Sequence, residues 1–459
     1  MRASFISDTY GTIPKVKDRP ANAWVVIPLY IGTALLVYHQ RVGWQDEGGA
    51  DWLQVALRPE SWFAFSVVLS LIVIPKWTLW PRARFGGART VLFWAPLAAL
   101  MAALLSTGLA DLRYTVAYDV FGAQVPVRML LGISFGILVF NLALINSQFA
   151  ARMIVLLTWM PFVSIMLGIL SLIVPVTFIS GQAEGIPVEG WGLTYGARFQ
   201  GLTSNPNMAA TTSSIAVALL LPRILQGVSA RRPTWAFFIL YVLGLLAVMV
   251  LSGVRAMLVV LVVVGCVALW LRFRLTARGL MSVCFTALKL VALAVLAAFI
   301  LLQTGLAEVL AERIGSDDGR LFLWQFYINL LWENPLGLGF GFETIVDTEN
   351  IIPGQRLPPH NTLLQMAMYG GFVGLVVHLF VLGKVIHTIA WLRRAVHPAM
   401  LSNSLQALIL GWCALVVSLL FGGLIFIDHH FVILTALLLA AGARAVPSLG
   451  LSRERSSLI

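Results

Sequence analysis

Runs of about twenty mainly apolar residues recur along almost the whole chain, and they limit what it can fold into. A segment of this length and composition is the signature of a transmembrane α-helix. Charged residues make up only 11% of the sequence, whereas water-soluble domains carry about 25%. The runs are continuous, unlike the alternating apolar and polar residues of a membrane β-barrel strand. The sequence therefore predicts an all-α integral membrane protein.

About twelve transmembrane helices are predicted from these runs, within a single integral membrane domain over residues 1–459. The predicted spans are 24–39, 61–79, 90–109, 129–146, 153–179, 208–226, 235–252, 256–271, 280–302, 362–383, 404–426 and 430–446. The first 23 residues are polar and have no apolar core, so we expect no cleavable signal peptide and a retained first span.

The basic residues predict the orientation of these spans. With the amino terminus in the cytoplasm, 21 Lys and Arg lie in cytoplasmic segments and nine lie in outer loops. Cytoplasmic loops carry an excess of Lys and Arg, so both termini are predicted to be cytoplasmic. The net charge of +11 is explained by the basic cytoplasmic segments of a membrane protein. No basic block is long enough to indicate nucleic-acid binding.

The longest polar segment, 303–361, is predicted to be a large periplasmic loop between the ninth and tenth spans. Loops of this length are usually functional or disordered. It contains a helix-like stretch, 319–334, whose apolar positions 321, 322, 324, 328, 331 and 332 are predicted to form one face. This helix is expected either to lie along the membrane surface or to roof a cavity.

Arginines collect at the predicted outer ends of the spans: Arg198, Arg255, Arg313 and Arg320. One guanidinium group can form two parallel hydrogen bonds with phosphate oxygens, and it stays charged. A site where several arginines converge therefore suits a diphosphate. Each one taken alone equally fits a solvated or headgroup-contacting side chain. Arg255 stands out because it lies in a very short turn between apolar spans, where charge is costly without a partner.

His360 and Asn361 directly precede the tenth span. An imidazole titrates near neutral pH and is the usual general base, which makes His360 a candidate catalytic residue. Asn361 can also cap the helix that follows, and a histidine beside a helix cap needs no chemical role. The local sequence leaves both interpretations open.

Other polar groups are weaker candidates. Asp428, His429 and His430 are metal-ligand types, but three neighbouring residues cannot all face one ion on regular structure. Glu343 and Asp347 are candidates for a base or for binding sugar hydroxyls. The sequence has no Walker loop, zincin helix or nucleophile elbow. We therefore expect no cofactor and a mechanism without a metal, in which arginines take the place of a cation.

Four segments together resemble the O-antigen ligase/Wzy polymerase superfamily over residues 190–445. The resemblance is carried by GARFQGLTSNPNMAA (196–210), LSGVRAMLVVLVVV (251–264), GRLFLWQFYINLLWENPLGLGFG (319–341) and PPHNTLLQMAMYGGFVGL (358–375). In the last segment, His360 and Asn361 are followed after nine residues by Gly371 and Gly374, which is similar to the ligase pattern of His-Asn and Gly-x-x-Gly. The polar segment 39–60 carries no motif of this family.

This resemblance implies a glycosyltransferase in the bacterial inner membrane with its active site facing the periplasm. The implied donor is a glycan on undecaprenyl pyrophosphate. The implied acceptor is a sugar hydroxyl, either on lipid A core for a ligase or on a growing glycan for an O-antigen or exopolysaccharide polymerase.

The resemblance also implies roles for particular residues. Arg255 and Arg320 would hold the pyrophosphate, with Arg198 as a less certain helper. His360 would orient or deprotonate the acceptor, and Gly371 and Gly374 would let two helices approach closely. A lipid-linked glycan transporter and a scaffold without catalytic activity are the competing classes.

Overall fold

The computed structural model describes residues 22–38, 58–73, 87–112, 120–173, 206–226, 234–251, 254, 256–272, 320–342, 346, 359, 361–395, 402–420 and 428–445. Every regular element in these ranges is a helix, which confirms the all-α prediction. The helices are α1 (Ala23–Ala34), α2 (Pro59–Val73), α3 (Ala95–Asp111), α4 (Val120–Ile145), α5 (Ser147–Ile173), α6 (Pro206–Gln226), α7 (Thr234–Leu251), α8 (Ala256–Arg272), α9 (Arg320–Glu333), α10 (Thr362–Ala395), α11 (Asn403–Leu420) and α12 (His429–Ala445). A 3₁₀ turn, Leu35–Tyr38, follows α1, and a π turn, Thr90–Trp94, precedes α3.

Eleven of the predicted spans coincide with helices, and the ninth, 280–302, lies outside the described residues. Within the described ranges, five helical segments are long and apolar enough to cross a membrane: Thr90–Asp111, Val125–Ile145, Asn207–Leu225, Thr362–Arg394 and Asn403–Leu420. Six further apolar helical segments of 10–17 residues accompany them in the described part of the chain. The membrane character of the fold is therefore confirmed, while the total of twelve spans and the position of the long loop stay predictions.

Helices α6 and α11 pack closely at the centre of the bundle, and α5, α7 and α8 pack around them. Their contact is made by small residues. The stretch Thr211–Ser214 of α6 is buried, and the Ser214 and Ser418 hydroxyls lie 3.4 Å apart across the interface. A Cβ on Gly411 of α11 would lie 2.8 Å from the Leu219 side chain. Membrane helices associate through such small and hydroxyl-bearing residues, since lipid supplies no hydrophobic drive between them.

Helix α10 is broken near its start. Gly370 has φ −124° and ψ 18°, and Gly371 has φ 61° and ψ −155°, so neither is helical. In an unbroken helix the Phe372 N–H would donate to the Met368 carbonyl. Here it donates to the Pro335 carbonyl at 2.9 Å, and Met368 accepts from the N–H groups of Leu338 (2.7 Å) and Gly339 (3.1 Å). The break in α10 is thus filled by the loop 335–341 that follows α9.

The opposite side of this loop is held by α3. The Thr107 hydroxyl accepts a hydrogen bond from the Phe340 N–H at 2.8 Å and donates one to the Ala103 carbonyl at 2.7 Å. The Ser106 hydroxyl donates to the Leu336 carbonyl. The loop therefore lies between α3 and the break in α10, with its backbone groups paired to both.

The side of α9 that packs against the protein is not centred on the predicted apolar face. The structure buries Leu323, Tyr327 and Leu331, whereas Ile328 and Trp332 are exposed. Apolar residues surround nearly the whole circumference of this helix, so their spacing did not choose a face. The choice comes from tertiary contacts: the Tyr327 ring packs edge-on against Phe342, with ring centroids 6.0 Å apart.

Substituting Gly371 with Ala is expected to destabilise the protein by at least about 1–3 kcal/mol, because its backbone conformation is almost restricted to glycine. A Cβ at this position would also lie 2.6 Å from the Leu336 Cα. Thermal unfolding of the detergent-solubilised protein measures the loss. Gly383→Ala is the matched control: Gly383 lies in the same helix, and no neighbouring atom lies within 4 Å of the position that a Cβ would occupy there. Equal stability of the two variants would contradict the role of the break.

Candidate functional site

The structure describes only part of the predicted site. Asn361, Gly371 and Gly374 are described, and Arg320 is described as the first residue of α9. The remaining predicted or weaker candidates that fall outside the described residues are Arg198, Arg255, Arg313, Glu343, Asp347 and His360. Their roles stay predictions, and the site is built here from the elements that flank them.

Asn361 is the cap of α10. Its side-chain oxygen accepts hydrogen bonds from the N–H groups of Leu363 (2.9 Å) and Leu364 (3.2 Å), and its carbonyl accepts one from Gln365 at 2.9 Å. These bonds satisfy amide groups that a helix start otherwise leaves unpaired. The capping role that the sequence suggested for Asn361 is thus confirmed, and it orients the backbone immediately after position 360.

The segment before α10 is attached to the beginning of α9. The indole N–H of Trp324 donates a 2.9 Å hydrogen bond to the carbonyl of Pro359. Trp324 lies one helical turn after Arg320, and positions four apart share a helix face. The structure therefore brings the first turns of α9 next to the residue that precedes position 360.

The far end of α9 is attached to α10 as well. Asn334 ends the helix, with its backbone N–H and its side-chain amide both donating to the Leu330 carbonyl (2.9 and 3.1 Å). The next residue, Pro335, accepts the hydrogen bond from Phe372 at the break. Helix α9, the loop 335–341 and the first part of α10 thus form one connected unit, which we call the α9–α10 unit.

The three glycines at the break make different contacts. A Cβ on Gly371 would meet the backbone of the loop 335–341, and one on Gly374 would lie 2.6 Å from the Met366 carbonyl of the same helix. Gly370 is the glycine that faces another helix: its Cβ would lie 3.3 Å from that of Ala102 in α3. The close approach expected at Gly371 therefore exists, but its partner is a loop and not a second helix.

A buried histidine that the sequence reasoning missed lies in α10, seven residues after Gly371. His378 is fully buried in α10, and its Nδ1 lies 2.9 Å from the Gly374 carbonyl. Because a carbonyl only accepts, this contact requires the proton on Nδ1. Ionisable residues inside membrane segments are rare and are often functional. Its place four residues after Gly374, in an apolar helix, was the available sequence signal.

Asp428, His429 and His430 lie at the start of α12, in a cluster separate from the α9–α10 unit. Asp428 caps the helix, with its carboxylate accepting from the Phe431 N–H at 3.0 Å, and His430 Nδ1 lies 3.5 Å from the same carboxylate oxygen. No group of three or more His, Cys, Asp or Glu side chains suited to a metal ion occurs in the described ranges.

His429 joins three helices in this cluster. Its Nε2 lies 3.7 Å from the Glu60 carboxylate of α2, which in turn lies 3.5 Å from Arg128 of α4. The imidazole packs edge-on against the rings of Phe63 and Phe135, with centroids 5.1 and 5.7 Å away. His429 is fully buried, and its contacts fit a role in holding α12 against α2 and α4.

The all-α architecture and the apolar helices of membrane-spanning length define an integral membrane protein. Residues 238–379 match the family described as O-antigen ligase, which confirms the predicted resemblance to the O-antigen ligase/Wzy superfamily. The matched segment contains the α9–α10 unit together with Arg255 and His360, whereas Arg198 lies outside it. No curated protein matches the chain with significant similarity.

Asp428→Ala should cost about 0.5–2 kcal/mol of stability, because the Phe431 amide loses its cap. Asp428→Asn is the matched control, since asparagine caps a helix about as well as aspartate but lacks the negative charge that favours a metal. We expect the asparagine variant to unfold at nearly the temperature of the unsubstituted protein, with or without chelator. If asparagine were as damaging as alanine, the carboxylate charge and not the cap would be the important feature.

Proposed function

We propose that this protein is a membrane glycosyltransferase that moves a glycan from undecaprenyl pyrophosphate to a sugar hydroxyl at the periplasmic face of the bacterial inner membrane. The O-antigen ligase family match at residues 238–379 supports the reaction class. The observation that carries the proposal is the α9–α10 unit. Its hydrogen bond between Trp324 and Pro359 brings the helix that starts at Arg320 next to the residue that precedes His360.

The donor side of the reaction needs positive charge. As the bond between the sugar and the phosphate breaks, negative charge grows on the leaving undecaprenyl pyrophosphate. Arg320 and Arg255 hold this group through their guanidinium forks, with Arg198 as a helper. Fixed guanidiniums stabilise the charge more in the transition state than in the ground state, which lowers the barrier. This arrangement supplies the required charge without a metal ion or a cofactor.

The acceptor side needs a base. His360 accepts the proton of the acceptor hydroxyl while the oxygen forms the new bond to the sugar carbon. One carbon–oxygen bond forms and one breaks, the proton passes to the imidazole, and the electron pair leaves with the pyrophosphate. The cap formed by Asn361 orients the backbone next to this histidine.

The lipid tail of the donor has a suitable apolar surface beside the unit. Trp332 is 70% exposed, and its ring lies 5.3 Å from that of Phe372 at the break in α10. Val373 and Val376 continue this exposed apolar surface along α10. Exposed apolar side chains on a membrane helix face lipid, so the lipid tail of the donor would lie against this surface.

Two acceptors fit this chemistry. Lipid A core would make the protein an O-antigen ligase, which the His-Asn and Gly-x-x-Gly pattern favours. A growing O-antigen or exopolysaccharide chain would make it a polymerase, and the same residues would serve. The product formed with each acceptor distinguishes the two.

A lipid-linked glycan transporter is the second candidate function, and the broken helix α10 favours it. Transporters place binding groups on broken helices near the middle of the membrane. His378, buried below the break, is a group of this type. Transport would depend on His378 and not on His360, so the two functions make opposite predictions for these residues.

We expect glycan transfer by the purified protein to fall at least about 100-fold in each of His360→Ala, Arg320→Ala and Arg255→Ala, since a general base or an anion-holding donor contributes about that factor. The assay uses a lipid-pyrophosphate glycan with each candidate acceptor, in the presence of chelator. His387→Ala and Arg394→Ala are matched controls, because both residues are exposed near the other end of α10. Full activity of His360→Ala would overturn the proposed mechanism.

A further inference from the structure

The hydrogen bond from Trp324 to Pro359 joins two parts of the chain that are 35 residues apart. An indole has one donor and no acceptor, and this contact uses it. Pro359 is buried, and a buried carbonyl without a partner is costly. The bond therefore satisfies both groups, and it does so at the junction between the beginning of α9 and the beginning of α10.

The sequence limits how the segment before α10 can be anchored. Pro358 and Pro359 have no backbone N–H, so these two residues offer carbonyls but no amide donors to their surroundings. A donor from elsewhere in the chain is therefore needed to hold them through their backbone. Trp324 provides that donor, and its flat, rigid indole leaves little freedom in where the Pro359 carbonyl lies.

Position 360 lies between two anchored neighbours. The Pro359 carbonyl belongs to the peptide bond that links it to residue 360, and peptide groups are planar. On the other side, Asn361 is held by its cap to Leu363 and Leu364. The backbone on both sides of position 360 is thus attached, once to α9 and once to α10.

The same helix is anchored again at its far end. Pro335 is 11 residues after Trp324, about 16 Å along the chain at helical rise, and it accepts the hydrogen bond from Phe372. Leu323, Tyr327 and Leu331 bury the side of α9 between the two attachments. Attachment at two separated points limits swinging and sliding of α9 relative to α10, so it holds the start of α9 beside Pro359.

We propose that Trp324 is a positioning residue that sets the distance between Arg320 and His360, and hence between the leaving pyrophosphate and the acceptor hydroxyl. This inference rests on the proposed function. Trp324 itself does not touch the substrate; it acts through the carbonyl of Pro359. Small displacements matter at this point, since a misplacement of about 1 Å at a reacting centre can cost about 100-fold in rate.

The test compares three tryptophan replacements in the full-length protein. Trp324→Phe keeps an aromatic ring but loses the N–H group. Incorporation of β-(3-benzothienyl)alanine at position 324 keeps the shape of tryptophan and replaces the N–H with sulfur. Trp24→Phe is the matched control, because Trp24 is exposed in α1, outside the α9–α10 unit. We expect kcat for glycan transfer to fall about 10- to 100-fold in both position-324 proteins, with KM for the donor nearly unchanged. Trp24→Phe should keep the kcat of the unsubstituted protein.

A double-mutant cycle separates positioning from a general loss of structure. If Trp324 acts through His360, adding Trp324→Phe to His360→Ala should leave the residual activity of His360→Ala unchanged. A further drop of the same size as in the single variant would overturn the proposal, because the indole would then act independently of the histidine. Normal kcat in the benzothienylalanine protein would overturn it as well, and this variant decides the question if Trp324→Phe does not reach the membrane.

The outcomes also separate this inference from the proposed function. Inactive His360→Ala together with Trp324→Phe that behaves like Trp24→Phe would remove the positioning role alone. Active His360→Ala would remove the proposed mechanism, and the positioning role with it.

Discussion

The structure of the candidate site depends on an exchange of hydrogen bonds between a broken helix and a loop. Where α10 is interrupted, the helical hydrogen bond between the Met368 carbonyl and the Phe372 N–H is absent. The carbonyl accepts from the N–H groups of Leu338 and Gly339 instead, and the Phe372 N–H donates to the Pro335 carbonyl. Within a membrane protein each unpaired backbone group costs several kcal/mol, so a break is tolerated only where protein supplies replacement partners. The loop after α9 supplies them, and this requirement ties α9 to α10.

Much of the architecture could be predicted because lipid imposes a simple rule on sequence. A run of about twenty apolar residues has to form a helix, so eleven predicted spans fall on helices, although Val120–Ile145 begins nine residues before its predicted span and Thr362–Ala395 ends twelve residues after its predicted span. The break at Gly370 and Gly371 did not follow from the same rule. Glycines in an apolar run are also common where two unbroken membrane helices pack closely. The hydrogen bond to Pro335, a residue distant in the sequence, is what distinguishes a broken helix from close packing of unbroken helices.

At α9, local pattern also did not indicate which side packs against the protein, for a related reason. Its sequence is apolar on nearly all sides, so the contacts of Tyr327 and of the loop 335–341, and not the spacing of residues, decide which side is buried. For the site, the sequence identified Asn361 as a cap correctly because capping is a local interaction. The indole of Trp324 and the imidazole of His378 were missed. The role of Trp324 depends on its contact with Pro359, and that of His378 depends on its burial, and neither can be read from the linear sequence.

The polar groups of the molecule divide into two sets with different physical roles. In the cluster of Glu60, Arg128 and His429, opposite charges lie close together and the histidine is enclosed by phenylalanine rings, which suits attachment of one helix to another. In the α9–α10 unit, the hydrogen bonds that join α9, the loop 335–341 and α10 come from backbone amides and carbonyls, a helix cap and an indole, which hold other residues in place.

The two-point attachment of α9 has a consequence for how the protein meets membranes of different thickness. A helix held only by its apolar face moves up or down with the lipid interface. Helix α9 is instead joined by hydrogen bonds to α10, so its depth follows the protein framework. A change in bilayer thickness is therefore expected to leave the geometry between Trp324 and Pro359 unchanged.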